Sequence, residues 1–201
     1  MQLAFEGFEP AARISKQQAK DKHRLFFAIK PGAANSAAVA RIFDALRTSH
    51  DIQARFLGAE FLHVSLAHVV DSPEFPQATV DAAINVAASV QMPPFEIVFD
   101  RGMSFRKPKS RQPLVLCAVP DDAGVVLLER RIATALAMAS VGGRMIKAGF
   151  TPHLTIGYDE HRVAEFLLVE KIRWTVREFV LVHSLLGQNR HEELGKWQLQ
   201  A

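Results

Sequence analysis

Cysteine is all but missing from the sequence: among 201 residues there is Cys117 and no other. No internal disulfide can form, so the fold must be held by its core, and a reducing, cytoplasmic setting is expected. Flanked by Leu116 and Ala118, the thiol reads as a buried strand position. Long apolar runs are missing too. The longest, Leu114 to Val119 and Val163 to Val169 with Glu165 inside it, fall far short of the roughly 20 residues a bilayer span needs. The first residues carry Glu6 and Glu9 and lack the basic start and apolar stretch of a secretory signal. Strong net charge is also lacking: a formal +3 is a mild bias toward anionic partners and identifies none. Histidines 23, 50, 161, 183 and 191 have no neighbours at metal-ligand spacing, so neither a zinc site nor any other cofactor is expected.

What remains is 49% hydrophobic and 22% charged, enough for one large core or two small coupled lobes. Residues 1–22 show no periodicity and read as an N-terminal extension. Arg24 to Ile29 is a buried strand ended by Pro31-Gly32. A helix capped at Asn35 or Ser36 follows, with Val39, Ile42, Phe43 and Leu46 as its apolar stripe. A strand from about Phe61 to Val70 stops at Asp71-Ser72-Pro73, and a helix from about Pro76 to Val90 stops before Pro93-Pro94. Phe95 to Phe105 is a strand with a bend or bulge at Gly102. Arg106, Lys107, Lys109 and Arg111 then form a basic loop, read either as a solvated connection or as a surface for a phosphate backbone. The second part repeats this order: strand Leu114 to Val119, a helix capped at Asp121 or Asp122 and stopped by Gly142-Gly143, and a strand from His153 to Tyr158. The tail predicts a short helix over Glu160 to Leu168 and strands at Ile172 to Val176, Glu178 to Leu186 and Lys196 to Leu199. Residues 24–29 precede 114–119 by the same 90 positions that separate His63 from His153.

The segment Phe61-Leu62-His63-Val64-Ser65-Leu66-Ala67 returns as Thr151-Pro152-His153-Leu154-Thr155-Ile156-Gly157. On a strand, alternate side chains share a face. His63 and Ser65 therefore share one face, His153 and Thr155 share another, and the intervening aliphatics turn to a core. By the same parity His68 falls on the face opposite His63 and reads as structural. Each strand offers a group that titrates near neutrality beside a hydroxyl that can bond an oxyanion. Two imidazoles facing one cleft suit displacement at phosphorus, one taking a proton while the other delivers one. Tyr158 is a candidate base-stacking or packing residue, Arg144 and Lys147 are candidate phosphate contacts, and Trp174 and Trp197 read as packing residues.

This doubled His-x-Ser/Thr pattern resembles the signatures of the two-histidine phosphoesterase superfamily, in particular its RNA 2′,3′-cyclic phosphodiesterase branch, also called 2′-5′ RNA ligases. The resemblance extends to the opening strand Arg24 to Ile29, the lead Phe150 to Thr155 into the second motif, and the closing Phe179-x-Leu181-x-x-Ser184 strand. Gly157-Tyr158 stands where the family usually has Ala-Arg, and His68 where it usually has an aromatic residue. The resemblance implies an α+β fold of two pseudo-symmetric lobes, each with an antiparallel sheet and helices, around a central cleft. It spans 23–201 as one bilobal domain with halves of about 23–110 and 111–201. It implies metal-independent hydrolysis of RNA 2′,3′-cyclic phosphate ends to 2′-phosphomonoesters, with 2′-5′ ligation as the reverse. His63 is then the acid and His153 the base, while Ser65 and Thr155 hold the phosphate. The implied partner is RNA or a nucleotide bearing that cyclic phosphate; a membrane or an obligate protein partner is not expected, and the chain is expected to be monomeric. A small cyclic phosphate or nucleotide conjugate as substrate, or a non-catalytic RNA-binding module, are the alternatives.

Overall fold

A computed structural model describes residues 22–49, 52–106, 111–119, 123–142 and 150–200. The expected extension through residue 21, His50, Lys107, Lys109, the caps Asp121 and Asp122, Gly143, Arg144 and Lys147 lie outside the described residues. The strands are β1 (His23–Ile29), β2 (Arg55–Phe56), β3 (Val64–Ser72), β4 (Phe95–Ser104), β5 (Gln112–Ala118), β6 (His153–Asp159), β7 (Phe166–Val176), β8 (Glu178–Leu185) and β9 (Arg190–Gln198). The helices are α1 (Ala33–Ser49), α2 (Gln77–Ala88) and α3 (Ala123–Met138), with a 3-10 turn at Ala59–Phe61.

All strand pairs are antiparallel, and their order is β7-β4-β5-β6-β3-β1-β8-β9, with β2 added to β6. The two His strands are the seam of this sheet, meeting at a single register pair, Val64 opposite Leu154. On each side of the seam lies a four-stranded half, as the mixed α+β expectation required. The halves do not follow the chain's midpoint, because β4 joins β5 and β7 while β8 and β9 join β1. Registers also set Ile29 opposite Val64 and Leu116 opposite Leu154. The opening strands thus correspond at an offset of 87 positions (116 − 29) and the His strands at 90 (154 − 64), so the repeat is looser than its spacing suggested.

Alternation decides which face is apolar. Leu25, Phe27 and Ile29 of β1, Leu62, Val64 and Leu66 at the first motif, and Leu154 and Ile156 at the second are buried in one continuous core. Phe27, Phe43, Phe99 and Phe179 are fully or almost fully buried there, each worth about 1.5–3 kcal/mol of transfer free energy. α1 contributes Val39, Phe43 and Leu46, as its stripe predicts, with Ile42 only partly covered. Trp174 stacks on Phe99 and Trp197 on Phe179, which makes both packing residues.

Some local expectations fail for identifiable reasons. α1 begins at Ala33, before Asn35 and Ser36, with the Ser36 hydroxyl directed at the Pro31 carbonyl. The expected helix over 160–168 is absent: 162–165 is irregular and β7 starts at Phe166, because the stretch is drawn into pairing with β4. β4 bulges at Asp100 between Phe99 and Arg101, not at Gly102. Gly102 is needed for another reason, since a Cβ there would lie 2.4 Å from the Phe166 ring.

Candidate active site

The first motif starts just ahead of β3, with His63 between the 3-10 turn and the strand, whereas His153 opens β6. In an antiparallel pair the positions flanking Val64 and Leu154 fall side by side, so His63 lies next to Thr155 and Ser65 next to His153. The two imidazoles stand on the diagonal of that square, where ideal spacing is roughly 7–8 Å between backbones. The structure therefore brings His63, Ser65, His153 and Thr155 to one patch at the seam. Ser65 is exposed and the other three are partly buried.

The two histidines are held in the same way. His63 Nδ1 is 2.7 Å from the Phe61 carbonyl oxygen, and His153 Nδ1 is 2.8 Å from that of Thr151, in each case two residues upstream. A carbonyl can only accept, so each Nδ1 carries the hydrogen, and Nε2 is the nitrogen left for proton transfer. Each ring also has an aromatic neighbour, Phe26 at 5.0 Å from His63 and Phe105 at 4.7 Å from His153. Burial pushes the His63 imidazole down to about 4. The Phe61 carbonyl opposes this, while charges on His191, His153 and Lys30 add to it. Burial lowers His153 too, partly offset by its bond to Thr151. Without an anion both rings are neutral at pH 7.

Sequence parity fails just beyond each motif. Register shifts bracket Leu66 in the β1–β3 pair, where Ala28 faces Ser65 and Phe27 faces Ala67. The same happens at Ile156 in the β5–β6 pair, where Val115 faces Thr155 and Leu114 faces Gly157. A bulge adds one residue to one strand and reverses the alternation after it. Hence His68 lies on the cleft face, opposite Phe26, and not on the opposite face as parity implied. Its Nε2 reaches Asp71, which also takes two bonds from Arg24. The Arg24 bond, with help from His68, holds Asp71 well below the usual carboxylate range. Tyr158 reaches the cleft face by the same device and is 41% exposed, open to a ligand.

Four further residues of this face carried no sequence signal, since they come from other strands. Arg55 lies directly opposite Tyr158 on β2. β2 can approach so closely because residue 157 is glycine: a Cβ there would be 2.7 Å from the Arg55 carbonyl. Arg101 faces Cys117, which in turn faces His153. Lys30, one residue beyond Ile29, lies beside His63 and is bonded to Glu193 at 2.8 Å. His191 of β9 touches the His63 ring. Of the basic loop, Arg106 is exposed and Arg111 pairs with Glu160 at 3.4 Å. Among the described residues no group of three or more His, Cys, Asp or Glu side chains is arranged to hold a metal ion.

A model of the 2′-5′ RNA ligase superfamily matches residues 34–188, more than half of the chain. The chain belongs to this superfamily. It is therefore a member of the two-histidine phosphoesterases and RNA ligases, the role its doubled motif implies. Three solved structures share the fold. A phosphoesterase crystal structure is 21% identical, covers 90% of this chain and 100% of its own, and has a TM-score of 0.67. LigT of E. coli complexed with ATP is 22% identical, with coverages of 90% and 100% and a TM-score of 0.66. TT0787 of Thermus thermophilus is 20% identical, with coverages of 88% and 97% and a TM-score of 0.65. At these identities the likeness establishes the two-histidine phosphoesterase fold. No curated protein matches the chain. No helix among the described residues is long and apolar enough to cross a membrane.

Proposed function

We propose that this superfamily member hydrolyses RNA 2′,3′-cyclic phosphate ends to 2′-phosphomonoesters, and that an RNA hydroxyl can take the place of water, attacking the cyclic phosphorus and displacing the 3′ oxygen to leave a 2′-5′ linkage. One observation carries the reading: both motif histidines give Nδ1–H to a carbonyl two residues upstream, so two Nε2 atoms flank one patch that also holds two hydroxyls. In hydrolysis one imidazole takes a proton from water as its oxygen bonds to phosphorus. The bond from phosphorus to the ribose 3′ oxygen breaks, and the other imidazole gives that oxygen a proton. Ser65 and Thr155 donate hydrogen bonds to the non-bridging oxygens as charge develops. Following the family's pattern, His63 is assigned as acid and His153 as base. A partner RNA in a reducing, cytoplasmic compartment fits the single buried thiol of Cys117.

The test is to incubate the full chain, with EDTA present, with an oligonucleotide ending in a 2′,3′-cyclic phosphate and, separately, with a cyclic mononucleotide. A 2′-phosphate end on the oligonucleotide, lost in His63→Ala and in His153→Ala, is expected. Turnover of the mononucleotide alone would point to a small-molecule esterase, and a metal requirement would overturn the mechanism.

A further inference from the structure

The repeated motif supplies only part of what encloses His63. β9 is the edge strand of its half-sheet, and its pairing sets His191 opposite Ser184, on the face that carries the motif side chains. The His191 ring reaches across that face to within 5.5 Å of the His63 ring, at 66°. It also meets Phe61 at 5.1 Å and Phe26 at 5.9 Å, both edge to face. Phe26 itself leans on His63 at 5.0 Å. Packing alone would be served by a third phenylalanine in this wall. An imidazole differs from one in its ring nitrogens, which can hydrogen-bond and can acquire a charge.

We propose that His191 is a third imidazole of the site and a positioning residue: its edge fixes the plane of the His63 ring, and its charge state governs how readily His63 accepts a second proton. The inference rests on reading His63 as a proton-transfer group. Two imidazolium ions at this spacing repel by about half to two pH units, so a proton on one ring disfavours a proton on the other. Other charged groups facing His63 are His153 from β6 and Lys30 just beyond β1, whose ammonium is paired with Glu193 of β9. Arg24 and His68 both bond to Asp71, farther along β1 and β3. His191 is thus the titratable neighbour on the enclosed side. Burial, and then Lys30, lower its own titration, which keeps it neutral when substrate arrives.

The test reads His63 directly. Imidazole nitrogen NMR of the labelled full chain, with the His63 signal assigned by its loss in His63→Gln, is titrated in the native protein, His191→Gln and His191→Lys. Removing the charge is expected to raise the His63 pKa by about half to two pH units, and the permanent cation to leave it at or below its native value. His191→Phe, which retains the ring wall, replaces the glutamine variant if that one fails to fold. A His63 titration unchanged in all variants, or moved the same way by glutamine and lysine, overturns the inference. Because the readout is not turnover, absence of cyclic phosphate hydrolysis leaves this result standing. Hydrolysis with an unmoved His63 titration sinks the inference alone.

Discussion

Binding a phosphodiester to this site should draw in a proton, and the amount follows from the burial of His63. Its pKa is pushed down to about 4, so at pH 7 only about one molecule in a thousand carries the proton an acid needs. A monoanionic phosphate seated about 4–5 Å from the ring, at an effective dielectric near 20, favours the imidazolium by about 4 kcal/mol, or between 2 and 3 pH units. That is the size of the burial penalty, so the substrate's charge restores His63 to about its ordinary value. At pH 6 the occupancy of its second proton should rise from about 0.01 to about 0.75 on binding. Calorimetry with a deoxydinucleotide monophosphate, which lacks the hydroxyl needed for cleavage, measures this uptake at pH 6 in two buffers of different ionisation enthalpy. Uptake of at least about 0.7 proton is expected, falling in His63→Gln to the smaller share contributed by His153. No uptake, or uptake unchanged by that substitution, would refute the idea that His63 is charged by its substrate.

Three further outcomes test the same geometry. His63→Ala should recover substantially on a substrate with a good leaving group, which departs without a proton, whereas His153→Ala should not; equal rescue of both would overturn the assigned roles. Ser65→Ala and Thr155→Ala should each lower turnover about 10- to 1000-fold, the cost of one oxyanion-type donor, measured as kcat at saturating oligonucleotide. The His63 pKa is lower folded than unfolded, so the unfolded chain binds more protons between about pH 4 and 6.5 and stability falls as pH drops through that window. Urea unfolding at pH 7.5 and 4.5 should show His63→Gln losing about 2–3 kcal/mol less than the native chain between the two; parallel losses would mean His63 is not buried as described.

Periodicity made the alternating core legible: Leu62, Val64, Leu66, Leu154 and Ile156 are where a period of two puts them. It could not reveal the bulges at Leu66 and Ile156, because a bulge is set by the partner strand and leaves no mark on the bulged strand's own pattern. His68 departs from its expected face for that reason. Length and apolar content likewise favour a helix over 160–168, but the exposed Leu167 and Val169 belong to an edge strand paired with β4, a long-range contact that local propensity does not encode. Lys30, Arg55, Arg101 and His191 were invisible as site residues because each comes from a different part of the chain and is brought toward the motifs only through sheet order.

The symmetry that made the motif recognisable is also why geometry alone does not separate acid from base. Both histidines have the same tautomer, a carbonyl two residues upstream, a neighbouring hydroxyl and one phenylalanine contact each. A pH profile does not break the tie. A site active with His63 charged and His153 neutral has the same net proton count as the reverse, so both give the same bell. What differs is the second layer. His63 is flanked by His191 and Lys30, both of which oppose its charging, and in the empty site its pKa is driven down to about 4. His153 has no such cation among the causes that lower it, so the free protein keeps a proton on His153 more readily than on His63. The family's pattern makes His63 the acid, and the two statements agree only if the substrate's own anion supplies the charge that protonates it. The acid would then be armed by the phosphate it attacks, and would remain neutral whenever the cleft is empty.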